Sequence, residues 1–179
     1  MPRIVGRHEV FSSEWVTLVE KEVDWGPTRK PDLFYSLAQR DYVTVFAQTP
    51  SGLIPIVRQF RPAVEDYTLE LPAGLIEPGE TPEQCACREL KEETGLVALA
   101  TRYLGAFNPD TGRLSNMMHL VAIDAAEPSG GEMKAELEVL FLTLDGIKNQ
   151  IRAGAFRSML QIGSLALMEL VGRVDGQPR

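Results

Sequence analysis

The chain has 179 residues, 44% of them hydrophobic and 24% charged, which is the balance of one globular domain with a proper core and excludes a disordered or fibrous chain. Eighteen Lys+Arg against 25 Asp+Glu give a formal net charge of -7, which argues against a surface built to grip nucleic-acid phosphates. No apolar run approaches the ~18 residues of a membrane helix, and residues 1–8 lack the apolar stretch of a signal peptide. Two cysteines, Cys85 and Cys87, stand too close in sequence to staple a loop, so the expectation is a reduced, cytoplasmic protein with no membrane partner.

In chain order, Trp15 to Glu20 alternate in polarity at the period of a strand. Residues 42–47 and 53–57 are apolar and β-branched, and Thr49-Pro50-Ser51-Gly52 between them suits a hairpin turn. Further strands are expected over 67–71, 98–104, 117–123 and 136–143. Thr81-Pro82-Glu83-Gln84 predicts a helix start, with Thr as N-cap, Pro at the first helical position and Gln at the capping-box position. Gly95 is placed to end that helix in the left-handed conformation. A short helix is expected over 145–151 and a longer one over 155–171, where Phe156, Met159, Leu160, Leu167, Leu170 and Val171 recur at helical spacing. Many strands with two or three helices predict an α+β fold with a mixed or antiparallel sheet.

Within the first helix Glu89, Glu92 and Glu93 stand at i, i+3 and i+4 and share one face. They could form a solvated acidic face, with Arg88 supporting Glu92 across one turn. Against this, Glu89 and Glu93 are like charges at i,i+4, and Glu92 and Glu93 lie in the last turn, where the helix dipole disfavours anions by ~0.3–1 kcal/mol each. A divalent cation held by hard oxygens would remove both penalties.

Gly74, Glu80 six residues on, Arg88-Glu89-Leu90, Glu92-Glu93 and Gly95-Leu96 fill every fixed position of the Nudix box. On these residues the chain resembles the Nudix hydrolases. The resemblance implies an α/β/α sandwich around a central mixed sheet and cleavage of a nucleoside diphosphate linked to another moiety. It further implies Glu89, Glu92 and Glu93 as Mg²⁺ (or Mn²⁺) ligands and Arg88 as the residue that orients them. Glu80 would brace the loop and Gly74 would allow the tight turn, with Gly95 closing the box. Val57 to Pro62 and Leu69 to Ile76 look like the ADP-ribose pyrophosphatase and nucleotide-sugar hydrolase branch. There the carbonyl of Ala73 is an expected metal ligand, Arg61 an expected diphosphate contact and Glu70 an expected aid to positioning. Arg61 in a surface ion pair is the alternative, and strand periodicity alone would turn Glu70 to solvent.

Glu14 to Val19 and Asp32 to Ser36 resemble the swapped N-terminal sheet of dimeric members, where an aromatic from each subunit sandwiches the nucleobase. This implies residues 1–40 as a dimerisation region, residues 41–179 as the hydrolase domain, a homodimer, and Trp15 and Phe34 as stacking residues. Trp25 reads as a loop-packing residue, and Asn108 to Asn116 fits the substrate-side loop. The general base in this branch is usually a Glu on the loop before the last strand, which makes Glu136 the first candidate and Glu132 the second. The expected reaction is hydrolysis of ADP-ribose to AMP and ribose 5-phosphate. The alternatives are GDP-mannose or a broader set of nucleotide sugars, and, in another class, a catalytically silent nucleotide-sugar-binding module.

Overall fold

The computed structural model describes residues 1–128 and 137–171, in two compact units, residues 1–41 with 107–118, and residues 42–106 with 119–128 and 137–171. The first unit is built on an antiparallel sheet of β1 (Arg3–Ser12), β2 (Thr17–Asp24) and β3 (Asp32–Ala38), in that order. Local hydrogen bonds make its turns. Ser13 Oγ accepts from Val16 N–H at 3.1 Å, and Asp24 Oδ1 accepts from Gly26 N–H at 2.8 Å, with Gly26 at φ 103° where only glycine is relaxed. Residues 113–115 run beside the end of β3, where Leu37 N–H donates to Arg113 O at 2.7 Å and Ser115 N–H to Leu37 O at 3.1 Å. The segment 107–118 thus joins the N-terminal sheet although it is remote in sequence, which the division at residue 40 did not foresee.

The second unit begins with β4 (Tyr42–Gln48), β5 (Ile54–Arg61), β6 (Asp66–Glu70) and β7 (Ala73–Leu75). After α1 (Pro82–Thr94) come β8 (Ala98–Phe107), β9 (Met118–Ala125), β10 (Glu138–Leu142), α2 (Leu144–Arg152) and α3 (Met159–Val171). The strands form a four-stranded sheet in the order β7-β4-β9-β8 and a three-stranded one in the order β10-β5-β6. Alternate residues of β4 and β9 face opposite layers. Val43, Val45, Ala47, Val121, Ile123 and Ala125 pack on Cys85, Ala86 and Leu90 of α1. Phe46 and Ala122 point the other way, into a second cluster with Ile54 and Ile56 of β5, Ile147 of α2, Phe156, and Leu165 and Met168 of α3. Helices on both faces of the central sheet give the expected α+β sandwich.

Two helices depart from the sequence reading. α2 extends over Leu144–Arg152, with Thr143 as its N-cap, and Gly154 at φ 72° breaks the chain after it. The next helix therefore starts at Met159 instead of 155. Phe156, read as part of its apolar face, is fully buried in the connecting loop. Among the described residues no helix is long and apolar enough to cross a membrane.

Candidate active site

The loop before α1 and the helix itself are locked together by one guanidinium. Thr81 caps α1 with a complete capping box: its Oγ1 accepts from Gln84 N–H at 3.2 Å, and Gln84 Oε1 accepts from Thr81 N–H at 2.9 Å. Gly95 ends the helix at φ 70°, donating to Lys91 O at 2.9 Å. With the helix fixed in phase, Arg88 reaches back across the loop. Its Nε and Nη2 each donate to Glu80 at 2.9 Å, Nη2 also to Leu75 O at 3.2 Å, and Nη1 to Glu89 Oε1 at 2.6 Å. Glu92 Oε2 lies 3.6 Å from the same Nη1.

The electrostatic consequence is large on both partners. The Arg88 fork, helped by the Glu77 N–H, holds the Glu80 carboxyl at about 2, and Glu80 and Glu89 in turn push Arg88 further above its ordinary range. Beneath them Cys85 is fully buried, its Sγ 3.5 Å from Leu75 O and 3.3 Å from Arg88 Nη2. Burial, with Glu80 nearby, pushes its thiol up to about 12.

At Gly74, β7 passes against the Glu89 side chain of α1. A Cβ added there would overlap the Glu89 carboxyl group, so any other residue would push that carboxylate from its place. One residue earlier, Ala73 N–H donates to Glu93 Oε2 at 3.2 Å. Glu89 and Glu93 are each 6% exposed, and Glu92 is the outermost of the three. Glu89 and Glu93 thus lie against the Ala73–Gly74 backbone, and with Glu92 on the same helix they supply hard oxygens of the kind Mg²⁺ or Mn²⁺ takes. Glu80, Glu89 and Glu92 all pair with the same guanidinium, that of Arg88. Among the described residues no three His, Cys, Asp or Glu side chains are gathered round one point. Glu89 turns to Arg88 and Glu93 to Ala73, which is how like charges relax when protein donors are what they face.

Beside this face lies a cleft of about 320 Å³ lined by Tyr42, Arg61, Glu70, Ala73, Gly74 and Gln161, among others. Arg61 grips Glu70 in a bidentate fork, Nε to Oε1 at 2.8 Å and Nη2 to Oε2 at 2.6 Å. Glu70 is not turned to solvent as strand periodicity predicts. It is 7% exposed, flanked by the buried Leu69 and Leu71, because this end of β6 is covered on both faces. Burial alone would raise its carboxyl, but the Arg61 fork and the Thr68 hydroxyl outweigh it and hold it below its ordinary value. Arg61, raised first by its bonds to Glu70, also feels the charge of Glu93.

In the first unit, Trp15 stands 65% exposed in the turn between β1 and β2. Phe34 on β3 meets Trp25 edge-to-face, ring centroids 6.0 Å apart, and Trp25 Nε1 donates to Asp32 Oδ2 at 3.0 Å. Trp25 thus packs in its loop as expected, and it, not Trp15, is the ring beside Phe34. These rings, with Lys21, Ser36 and Arg113, line a cleft of about 250 Å³ inside this unit. Glu132 and Glu136 lie outside the described residues. Sequence reasoning missed Gln161, whose only signal is a lone amide in the apolar run of α3, and Tyr42, which carries none.

A Nudix domain profile matches residues 38–158. The chain is 34% identical over 149 residues to the ADP-ribose pyrophosphatase of Bacillus subtilis, covering 80% of this chain and 79% of that protein. It is 39% identical over 146 residues to the ADP-sugar pyrophosphatase of Mus musculus, covering 72% of this chain and 66% of that one. A solved structure described as an ADP compounds hydrolase superposes with a TM-score of 0.80 over 97% of both chains at 22% identity, a likeness of fold. Nudix hydrolases are generally dependent on a divalent metal. With a complete box held in one loop–helix unit and a domain profile running from residue 38 to 158, the chain belongs to the Nudix hydrolase family.

Proposed function

We propose that this protein hydrolyses the diphosphate linkage of ADP-ribose, or of a related nucleoside diphosphate sugar, with Mg²⁺ as cofactor. The observation that carries the reading is the loop–helix lock. Arg88 ties Glu80 to Glu89 while Gly74 and Ala73 face Glu89 and Glu93, beside a cleft that presents Arg61. The names and coverage of the relatives support the substrate class.

In this reading Glu89, Glu92, Glu93 and the Ala73 carbonyl hold the metal. When bound, the metal supplies neutralisation of the diphosphate and a lowered pKa for a coordinated water. Arg61 receives the diphosphate, and Glu70 fixes its fork so that little side-chain freedom is lost on binding. Arg88 keeps the Glu89 carboxylate in one orientation. Glu136, or Glu132, takes the proton of the attacking water at phosphorus. Trp15 and Phe34 stack on the base, in a homodimer formed through the N-terminal sheet. The exposed Phe11, Trp15, Leu33 and Tyr35 support that surface as one made for a partner. The compartment assigned is the cytoplasm.

The test is a panel of ADP-ribose, ADP-mannose, GDP-mannose and UDP-glucose with Mg²⁺, scored by phosphate release after coupling to a phosphatase. AMP and ribose 5-phosphate from ADP-ribose are expected. No turnover of any member, with binding intact, would favour the silent module.

A further inference from the structure

The crossing between the two sheets of the second unit takes place in two residues. β6 ends at Glu70, paired with Val57, and β7 begins at Ala73, on the other sheet. Between them Pro72 has no N–H and its carbonyl accepts from Val45 N–H at 2.8 Å, which leaves Leu71 to be satisfied from elsewhere. α3 supplies the partner. Gln161, 6% exposed, accepts from Leu71 N–H at 2.6 Å through Oε1 and donates to Leu71 O at 3.4 Å through Nε2, as a neighbouring strand would. The same Nε2 lies 3.5 Å from Glu70 Oε2, the oxygen that receives Arg61 Nη2 at 2.6 Å.

We propose that Gln161 is a positioning residue for the diphosphate-binding pair, its amide holding Glu70 so that Glu70 in turn sets the fork of Arg61 at the cleft. Its geometry fits that role better than a purely structural one. A clamp on Leu71 alone would need no contact with Glu70, whereas this amide bonds the strand exit and the carboxylate together and lines the cleft itself. Through this amide α3 makes polar contact with the site. The proposal rests on the reading of Arg61 as the diphosphate contact.

The test is a double-mutant cycle between Gln161→Met, which keeps length and removes the amide, and Glu70→Gln. KM and kcat are read with ADP-ribose, and the Kd of inorganic pyrophosphate with Mg²⁺ by calorimetry. Gln161→Met should raise KM and the pyrophosphate Kd about tenfold with kcat nearly kept, and should change them less than about twofold when Glu70 is already Gln. Should Gln161→Met fail to fold, Gln161→Glu carries the same cycle, since it retains an acceptor for Leu71 N–H and lacks the donor to Glu70. Equal effects in both backgrounds, or a loss of melting temperature with unchanged KM and Kd, would overturn the proposal. A wild type inert toward ADP-ribose whose pyrophosphate binding still shows the coupling would remove the substrate reading and leave Gln161 in its role. Absence of pyrophosphate binding by the wild type would remove both.

Discussion

The sheets β1-β2-β3 and β10-β5-β6 have the same number of strands and the same antiparallel pairing, yet they differ in what covers them. In the second, Ile54, Ile56 and Val57 are fully buried and Leu69 is 8% exposed, with α2 and α3 packed alongside. In the first, Val23 is the one buried strand residue, while Phe11, Trp15, Leu33, Phe34 and Tyr35 are 46–65% exposed. A small sheet needs an apolar face against something to be stable in water. The two sheets differ in this respect: one is covered by two helices, and the other leaves large apolar side chains exposed.

Breaking the buried side should have the largest effect. Glu92→Gln and Glu93→Gln should each lower Mg²⁺-dependent kcat by about 10³-fold, the several kcal/mol a metal contributes. The metal-free melting temperature of Glu92→Gln should not fall, since Glu92 is the exposed member of the three. Retained turnover in both variants would end the ligand assignment. Next comes the loop base: Glu136→Gln should cut kcat by roughly 10²–10⁴ with metal and substrate affinity kept. Glu132→Gln run in parallel transfers the role if it alone is slow.

The exposed side should answer through KM. Trp15→Ala should raise KM for ADP-ribose by about 5- to 150-fold, the ~1–3 kcal/mol of one stacked base, with kcat little changed. A wild type that is monomeric by light scattering and fully active would show that this sheet needs no second copy.

The lock should answer through stability, not turnover. Glu80→Gln should cost about 1–3 kcal/mol of stability by leaving the Arg88 fork half satisfied. The Glu80 carboxyl titrates near 4.5 when unfolded and about 2 when folded, so the unfolded chain takes up the proton first as pH falls. The stability it contributes is complete above about pH 4.5 and is lost on the way down to about 2. The melting-temperature gap between wild type and Glu80→Gln should therefore close across that window, and a gap that stays constant to pH 2 would mean the pair is not ionic.

What could be read from the sequence follows from the range of the forces involved. The capping box of Thr81 and Gln84, the left-handed Gly95 and the turn over Thr49 to Gly52 are decided within a few residues, so local rules reach them, but the strands that this turn joins, β4 and β5, lie in different sheets and do not pair as the expected hairpin. The Nudix box was legible for the same reason, because Gly74 to Leu96 folds as one contiguous unit. β7 was missed because three residues leave no period to detect, and β1 because its exposed side chains follow none. Strand periodicity alone turns Glu70 to solvent, and burial on both faces erases that alternation. The return of residues 113–115 to β3, and of Gln161 to Leu71, are contacts between remote segments that no local pattern encodes.

Cys85 offers a chemical clock for the loop–helix lock. Fully buried and with its thiol pushed up to about 12, it offers almost no thiolate to an alkylating reagent while the loop is closed. In a Cys87→Ser background its labelling rate under native conditions therefore counts openings of the Glu80–Arg88 brace. Substrate and metal that hold the loop should slow that rate, which would turn one silent sulfur into a gauge of how often the catalytic unit comes apart.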